Sequence, residues 1–237
     1  RIGDKQLSTY FANSVDGFLT MSDKVTKDVK AFSNKPIVVS PHPIFAHFGN
    51  PMAKNDARKL LGINPNEKLI LFFGFIRHYK GLDILLHAMA TALVKDAHIK
   101  LMVVGEFYEE AQPYYDLIND LGIKHNVILH TQFVPDNEVK QYVSSADFII
   151  QPYRNATQSG VTPLAYHFEI PMLVTNVGAL ADTVPNGKVG VVVEPNAAAI
   201  ANGIMTLYQN GAASYIDNIK EEKKKYSWEQ MANNFIQ

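Results

Sequence analysis

The chain has 237 residues, 47% hydrophobic and 19% charged, with a formal net charge of -1, the balance of an ordinary globular protein of one large domain, or one domain and a piece of another. So small a net charge gives no bulk field for nucleic acid, and the absence of cysteine excludes disulfides and cysteine–zinc sites. No apolar run approaches the ~20 residues of a membrane span. The opening Arg1-Ile2-Gly3-Asp4 has no initiator methionine and reads as the interior of a longer protein. Asn155-Ala156-Thr157 fits a glycosylation sequon, which carries little weight without a secretory signal.

Residues 6–13 read as a helix end, with Leu7, Tyr10 and Phe11 on one face. A short strand is expected over 17–21. A helix capped by Ser22 or Asp23 runs to about 32. Another strand over 36–39 is closed by Ser40-Pro41-His42-Pro43, where two prolines hold the backbone extended. This β-α-β piece lacks the rest of a sheet and reads as the tail of a preceding domain, over 1–45. Asn50-Pro51 marks a linker, and a short helix over 55–61 is ended by Gly62 and Asn64-Pro65.

From Lys68 the pattern becomes regular. Strands at 69–74, 99–104, 127–129, 148–150, 171–175 and 189–193 alternate with helices at 82–94, 109–121, 136–144 (Asp136 as cap) and 160–168. Helices at 197–208, 213–224 and from 227 close the chain. This alternation predicts an α/β fold: a parallel sheet covered on both faces and, with right-handed crossovers, doubly wound, over 46–237. The run Glu221-Glu222-Lys223-Lys224-Lys225 is most simply a solvated helix face.

The stretch from Leu69 to Asp83 carries the chemistry. Leu69-Ile70-Leu71-Phe72-Phe73 is an unbroken apolar run, as a buried parallel strand requires, and it breaks at Gly74. Two fixed cations follow, Arg77 and Lys80, before Gly81 and Asp83 open a helix. A basic turn after a strand puts positive charge at the carboxyl edge of the sheet, where open α/β sheets bind ligands. A planar fork and a point charge together suit a phosphate or diphosphate; the bland alternative is a solvated loop with two surface cations. Gly160 and Val161 open a helix in which Pro163 fits the first turn. Its unpaired amides and dipole favour an anion over Ser159 to Val161, against plain capping by Ser159 or Thr162. No GxGxxG follows a strand, and there is no Walker loop, HExxH, Asp-x-Asp pair or Gly-x-Ser-x-Gly elbow. His87, inside a helix, reads as packing or surface.

Four blocks in order, GFIRHYKGLDILLHA, LMVVGEFY, VILHTQFVPDNEVKQYVSSADFIIQPY and ATQSGVTPLAYHFEIPMLVTNVGAL, resemble the GT-B glycosyltransferases of family 4, also called group 1. In that family two Rossmann-like domains face each other, the C-terminal one binding the sugar-nucleotide donor. The resemblance implies that 46–237 is the donor domain, with the Tyr226-Ser227-Trp228-Glu229 helix crossing back to the first domain. It implies a retaining hexose transfer from a nucleotide sugar to a saccharide or lipid-linked acceptor, in cell-surface polysaccharide synthesis. No cofactor or metal is expected. The location implied is cytoplasmic, with any peripheral membrane association coming through the first domain.

Carried over residue by residue, Lys80 matches the lysine that neutralises the donor diphosphate. The family arginine follows the glycine directly; here Phe75 holds that position and Arg77 lies two further on. Gly74 is that turn glycine. Glu106 lies in the turn near the nucleotide, and Phe133 and Val134 match the segment whose backbone binds the base. Gln158, Ser159, Gly160 and Val161 are the polar and backbone donors near the distal phosphate and sugar. The family's paired glutamates, separated by seven residues, fall on Ala156 and Leu164, neither acidic; no catalytic residue is therefore assigned. Two alternatives stand beside this reading: a non-hydrolysing sugar-nucleotide epimerase of the same two-domain fold, and a non-catalytic nucleotide-binding or scaffold domain.

Overall fold

The computed structural model describes residues 4–44 and 46–236. Residues 1–3, which begin the segment read as internal to a longer protein, lie outside the described residues, as do Phe45 and Gln237. The N-terminal piece is α1 (Asp4–Asn13), β1 (Phe18–Thr20), α2 (Asp23–Lys30) and β2 (Ile37–Val39). Ser22 caps α2, its hydroxyl accepting from the Val25 N–H at 3.3 Å. β1 and β2 pair in parallel as a two-stranded sheet of their own. The apolar face of α1 at Leu7, Tyr10 and Phe11 stays exposed.

The remainder forms one doubly wound layer structure. In chain order it runs α3 (Lys54–Leu60), β3 (Lys68–Phe73), α4 (Leu82–Lys95), β4 (Ile99–Val104), α5 (Gln112–Asp120), β5 (Val127–His130), α6 (Asp136–Ser145), β6 (Phe148–Gln151), α7 (Val161–Phe168), β7 (Met172–Thr175), α8 (Leu180–Thr183), β8 (Gly190–Val193), α9 (Ala197–Asn210), α10 (Ala213–Glu222) and α11 (Trp228–Ile236). The sheet order is β5-β4-β3-β6-β7-β8, every pairing parallel. The central strands are largely apolar because helices cover both faces: Leu69 to Phe72 are buried, as are Leu101 to Val104. Leu71 lies between Met102 of β4 and Ile149 of β6 in register. α4 and α9 pack together on one face, burying Leu85, Leu86, Met89, Ile200, Ile204 and Leu207. The winding reverses between β3 and β6, so the crevice between their carboxyl ends is the topological switch point.

Three details depart from the sequence expectation. α5 starts at Gln112 and not at 109, because the Glu109 carboxylate is committed elsewhere: it accepts from the His78 N–H at 2.8 Å and from the Tyr114 hydroxyl. Pro135 occupies the cap position of α6, and Asp136 is its first helical residue. The short α8, with no periodicity to announce it, interrupts the connection to β8. At the chain's end, Tyr226 stacks on Tyr166 with ring centroids 4.8 Å apart, and its carbonyl accepts from the Ile44 N–H at 2.9 Å. α11 then lies against β2, where Asn234 donates to the Ser40 hydroxyl at 3.3 Å. Among the described residues no helix is long and apolar enough to cross a membrane.

Candidate functional site

The floor of the site is backbone. Gly74 ends β3 with φ 96°, its N–H donating to the Val104 carbonyl at 2.8 Å. Gly105 ends β4 with φ 141°, its N–H donating to the His130 carbonyl at 2.9 Å. A Cβ on Gly105 would sit 2.2 Å from the Gly74 carbonyl oxygen, so only glycine lets the three strand ends lie this close. Above this floor a 3-10 turn, His78–Lys80, folds the Lys80 side chain back over Gly74; a Cβ on Gly74 would meet Nζ at 2.9 Å.

Two buried cations make an instructive contrast. Arg58 of α3 is 3% exposed and fully engaged, donating to the carbonyls of Pro65, Glu67 and Ser145 and to Asp147. It is structural. Lys80 is 8% exposed, yet its ammonium has no hydrogen bond or ion pair among the described residues. The Tyr153 ring, 5.7 Å away, is its nearest compensation. Burial, with the Arg77 charge adding to it, lowers the Lys80 pKa to about 8. An unpaired, destabilised cation at the mouth of a cleft is what an anion would relieve.

Lys80 and Gly74, with Phe48 and Phe73, are shared by two adjoining cavities. One, about 240 Å³, extends over the ends of β4 and β5, past Glu106, Gln132, Phe133, Val134 and Asp136. The other, about 180 Å³, extends over the switch point, past Tyr79, Tyr153, Gln158, Ser159, Gly160 and Val161. At the start of α7 the Val161 N–H donates to the Ser159 hydroxyl at 3.1 Å, and that hydroxyl also meets the Tyr153 phenol at 3.1 Å. Ser159 therefore fixes the loop, and the Gly160 N–H, at the wall of this cavity, makes no hydrogen bond among the described residues. Gln151 and Thr162 tie β6 to α7 through a buried hydrogen bond of 3.2 Å.

The turn that carries Lys80 is pinned by Arg154. Its guanidinium forms a two-pronged pair with Asp83, one contact at 2.6 Å, and also donates to the His78 carbonyl at 2.9 Å. Its N–H donates to the Tyr79 carbonyl at 2.7 Å. Burial is the largest single influence and works against the ionised Asp83, but the Arg154 hydrogen bonds and charge, together with the backbone N–H groups of Ile84 and Asp83, lower its pKa on balance.

Of the ten residues singled out in the sequence, nine line the cleft: Gly74 and Lys80 at its centre, Glu106, Phe133 and Val134 at one end, Gln158 to Val161 at the other. Arg77 does not. It is exposed, its guanidinium stacked 4.7 Å over the Tyr108 ring, which in turn packs on Phe75 at 4.3 Å. Arg77 therefore acts on the cleft through its field on Lys80 and does not face the space that Lys80 faces. Ala156 is buried, and Leu164 is buried with its side of α7 against the cleft, so no carboxylate stands at either position. Phe48, Tyr79, Tyr153 and Asp136 were not singled out; large aromatics in the loops beside strand ends were the available signal for Tyr79 and Tyr153. The arrangement suits an elongated anionic ligand, neutralised in the middle and walled by aromatic rings at both ends.

The family model described as glycosyl transferases group 1 matches residues 53–226. A glycosyltransferase of Methanocaldococcus jannaschii is 30% identical over 188 residues, covering 77% of this chain and 47% of that protein. A D-inositol 3-phosphate glycosyltransferase of Rhodococcus jostii is 25% identical, covering 100% of this chain and 54% of that one. The chain thus spans about half the length of these relatives. Among solved structures, the Anabaena HepE protein in complex with UDP-glucose has the same fold, with a TM-score of 0.80 at 17% identity, over 98% of this chain and 66% of that one.

Proposed function

Because the chain belongs to the glycosyl transferases of group 1, we propose that it is the donor-binding half of a retaining enzyme that moves a hexose from a nucleotide sugar to a saccharide or lipid-linked acceptor. The observation that carries this reading is Lys80: its stem is buried and its ammonium, which opens onto the cleft, has no protein partner among the described residues, at the switch point, between an aromatic-walled cavity and the start of α7. A diphosphate there would gain a charge-assisted bond and leave as a stabilised anion, so the protein's contribution is positioning and charge stabilisation. Lys80 supplies that charge itself, which supports a metal-independent reaction. The acceptor would be held by a first domain, of which β1, α2 and β2 are the last part; Met21 and His42 already approach Gln158 and Ser159 across a gap of about 30 Å³. We place the reaction in the cytoplasm, in surface-polysaccharide assembly, with any membrane contact made by the first domain. A retained binding role without turnover is the second reading, favoured by Ala156 and Leu164.

Calorimetry with a panel of nucleoside diphosphates tests the donor site. Lys80→Ala should weaken binding about 10-fold or more, the loss of one charge-assisted bond. Unchanged affinity would overturn the assignment. Sugar transfer by the full-length protein, with and without a chelator, separates catalysis from mere binding.

A further inference from the structure

Taking the donor-site reading as its basis, we infer that the cavity over β4 and β5 selects guanine, through the Glu106 carboxylate. Lys80 and the start of α7 fix where the phosphates lie, at the centre and toward the switch point. The base must then occupy the opposite end. Its walls are apolar and aromatic, with Phe133 69% exposed and Phe75 44% exposed, large rings left uncovered beside a cleft. Such faces accept any base by stacking and do not discriminate. Discrimination falls to the polar groups.

With Lys80 committed to the phosphates and Gln132 able both to donate and to accept, the remaining polar side chains are carboxylates. Glu106 and Asp136 both line this cavity, and an ionised carboxylate only accepts. Asp136 leans toward His47, 4.0 Å from its Nε2. Glu106 is half-buried; its backbone carbonyl accepts from the Ile76 N–H at 2.8 Å, while its carboxylate has no hydrogen bond or ion pair among the described residues. A carboxylate facing a base edge is satisfied by two adjacent N–H donors. Guanine offers them, N1–H beside the N2 amino group. Uracil places its one N3–H between two carbonyl oxygens, and adenine and cytosine set a ring acceptor beside their amino group, so each brings a lone pair against the carboxylate. The backbone N–H groups of Phe133 and Val134 make no hydrogen bond among the described residues, and one of them can serve the guanine O6. The ligand class is thus a guanosine diphosphate sugar.

The test compares GDP, IDP, UDP, ADP and CDP by calorimetry on the same protein and on Glu106→Gln. Inosine keeps O6 and N1–H and lacks only the N2 amine. GDP should bind tightest, with IDP and UDP about 10-fold or more weaker, the discrimination of a paired-donor contact. Glu106→Gln should bring GDP down toward the level of IDP and should not weaken UDP, which is freed of a lone pair facing a carboxylate. UDP or ADP binding as tightly as GDP would overturn the inference while leaving the donor site standing. An equal loss for all five in Glu106→Gln would also overturn it, placing the carboxylate on the shared ribose. Binding of none would overturn the donor-site reading itself.

Discussion

Replacing Lys80 by methionine should make the unliganded protein more stable while weakening its affinity for diphosphates about 10-fold or more. Methionine is unbranched and adaptable enough to fill the space of the lysine stem. The gain follows from the perturbed ionisation. Lowering the Lys80 pKa from 10.5 to about 8 corresponds to a cost of about 3 kcal/mol for holding it charged in the fold. The Tyr153 ring returns about 0.5–1 kcal/mol of this, leaving a net gain of about 2 kcal/mol for the variant, or ~4–8 °C in Tm for a chain of this size. The pH dependence has a definite sign. Below pH 8 both folded and unfolded states hold the proton and the full cost is present. Between pH 8 and 10.5 the unfolded state holds more protons than the native one, so the parent's stability rises with pH. The advantage of Lys80→Met should therefore be complete at pH 7 and gone by pH 10.5. Urea denaturation of both proteins at the two pH values measures it. A variant less stable than its parent at pH 7 would refute the idea that Lys80 is an unrelieved charge.

Two further outcomes rest on the cleft's framework. Arg154→Ala should weaken diphosphate binding about 3- to 10-fold by calorimetry, although Arg154 lines neither cavity, because the turn bearing Lys80 loses its clamp; Arg154→Lys should rescue little, since a lysine cannot make the two-pronged contact with Asp83. Full affinity in Arg154→Ala would show the turn to be held by other means. Gly105→Ala should cost about 2–3 kcal/mol in denaturant melts, from a positive φ and a backbone collision together, and a melt within 0.5 kcal/mol of the parent, on the order of a neutral surface change, would show that the strand ends can part.

The sheet was legible because parallel strands buried on both faces read as plain apolar runs, Leu69 to Phe73 above all, and because glycines and prolines punctuate them. Lys80 was legible for a local reason: it follows β3 by a turn too short to carry it elsewhere. What escaped was set by contacts distant in sequence. The Arg154–Asp83 clamp joins positions 71 residues apart. Arg77 turned outward because Tyr108, on the next strand's loop, offered its ring. The late start of α5 followed from the demand of the His78 N–H for an acceptor, which Glu109 meets. A carboxylate that looks like a helix-starting residue in the sequence is a crosslink in the fold.

The bond between Ile44 and Tyr226 has a mechanical consequence. The N-terminal two-stranded piece is joined to the six-stranded layer by two crossings, one outbound near 40–53 and one returning at 226–228, and that bond ties them side by side. A single crossing is a swivel, free to twist about its own line. Two crossings tied to each other resist the twist that one alone would allow. The tie sits beside the Tyr166–Tyr226 stack, at the edge of the very gap where His42 approaches Gln158, so the β1–β2 piece is braced at the place where it comes nearest the start of α7.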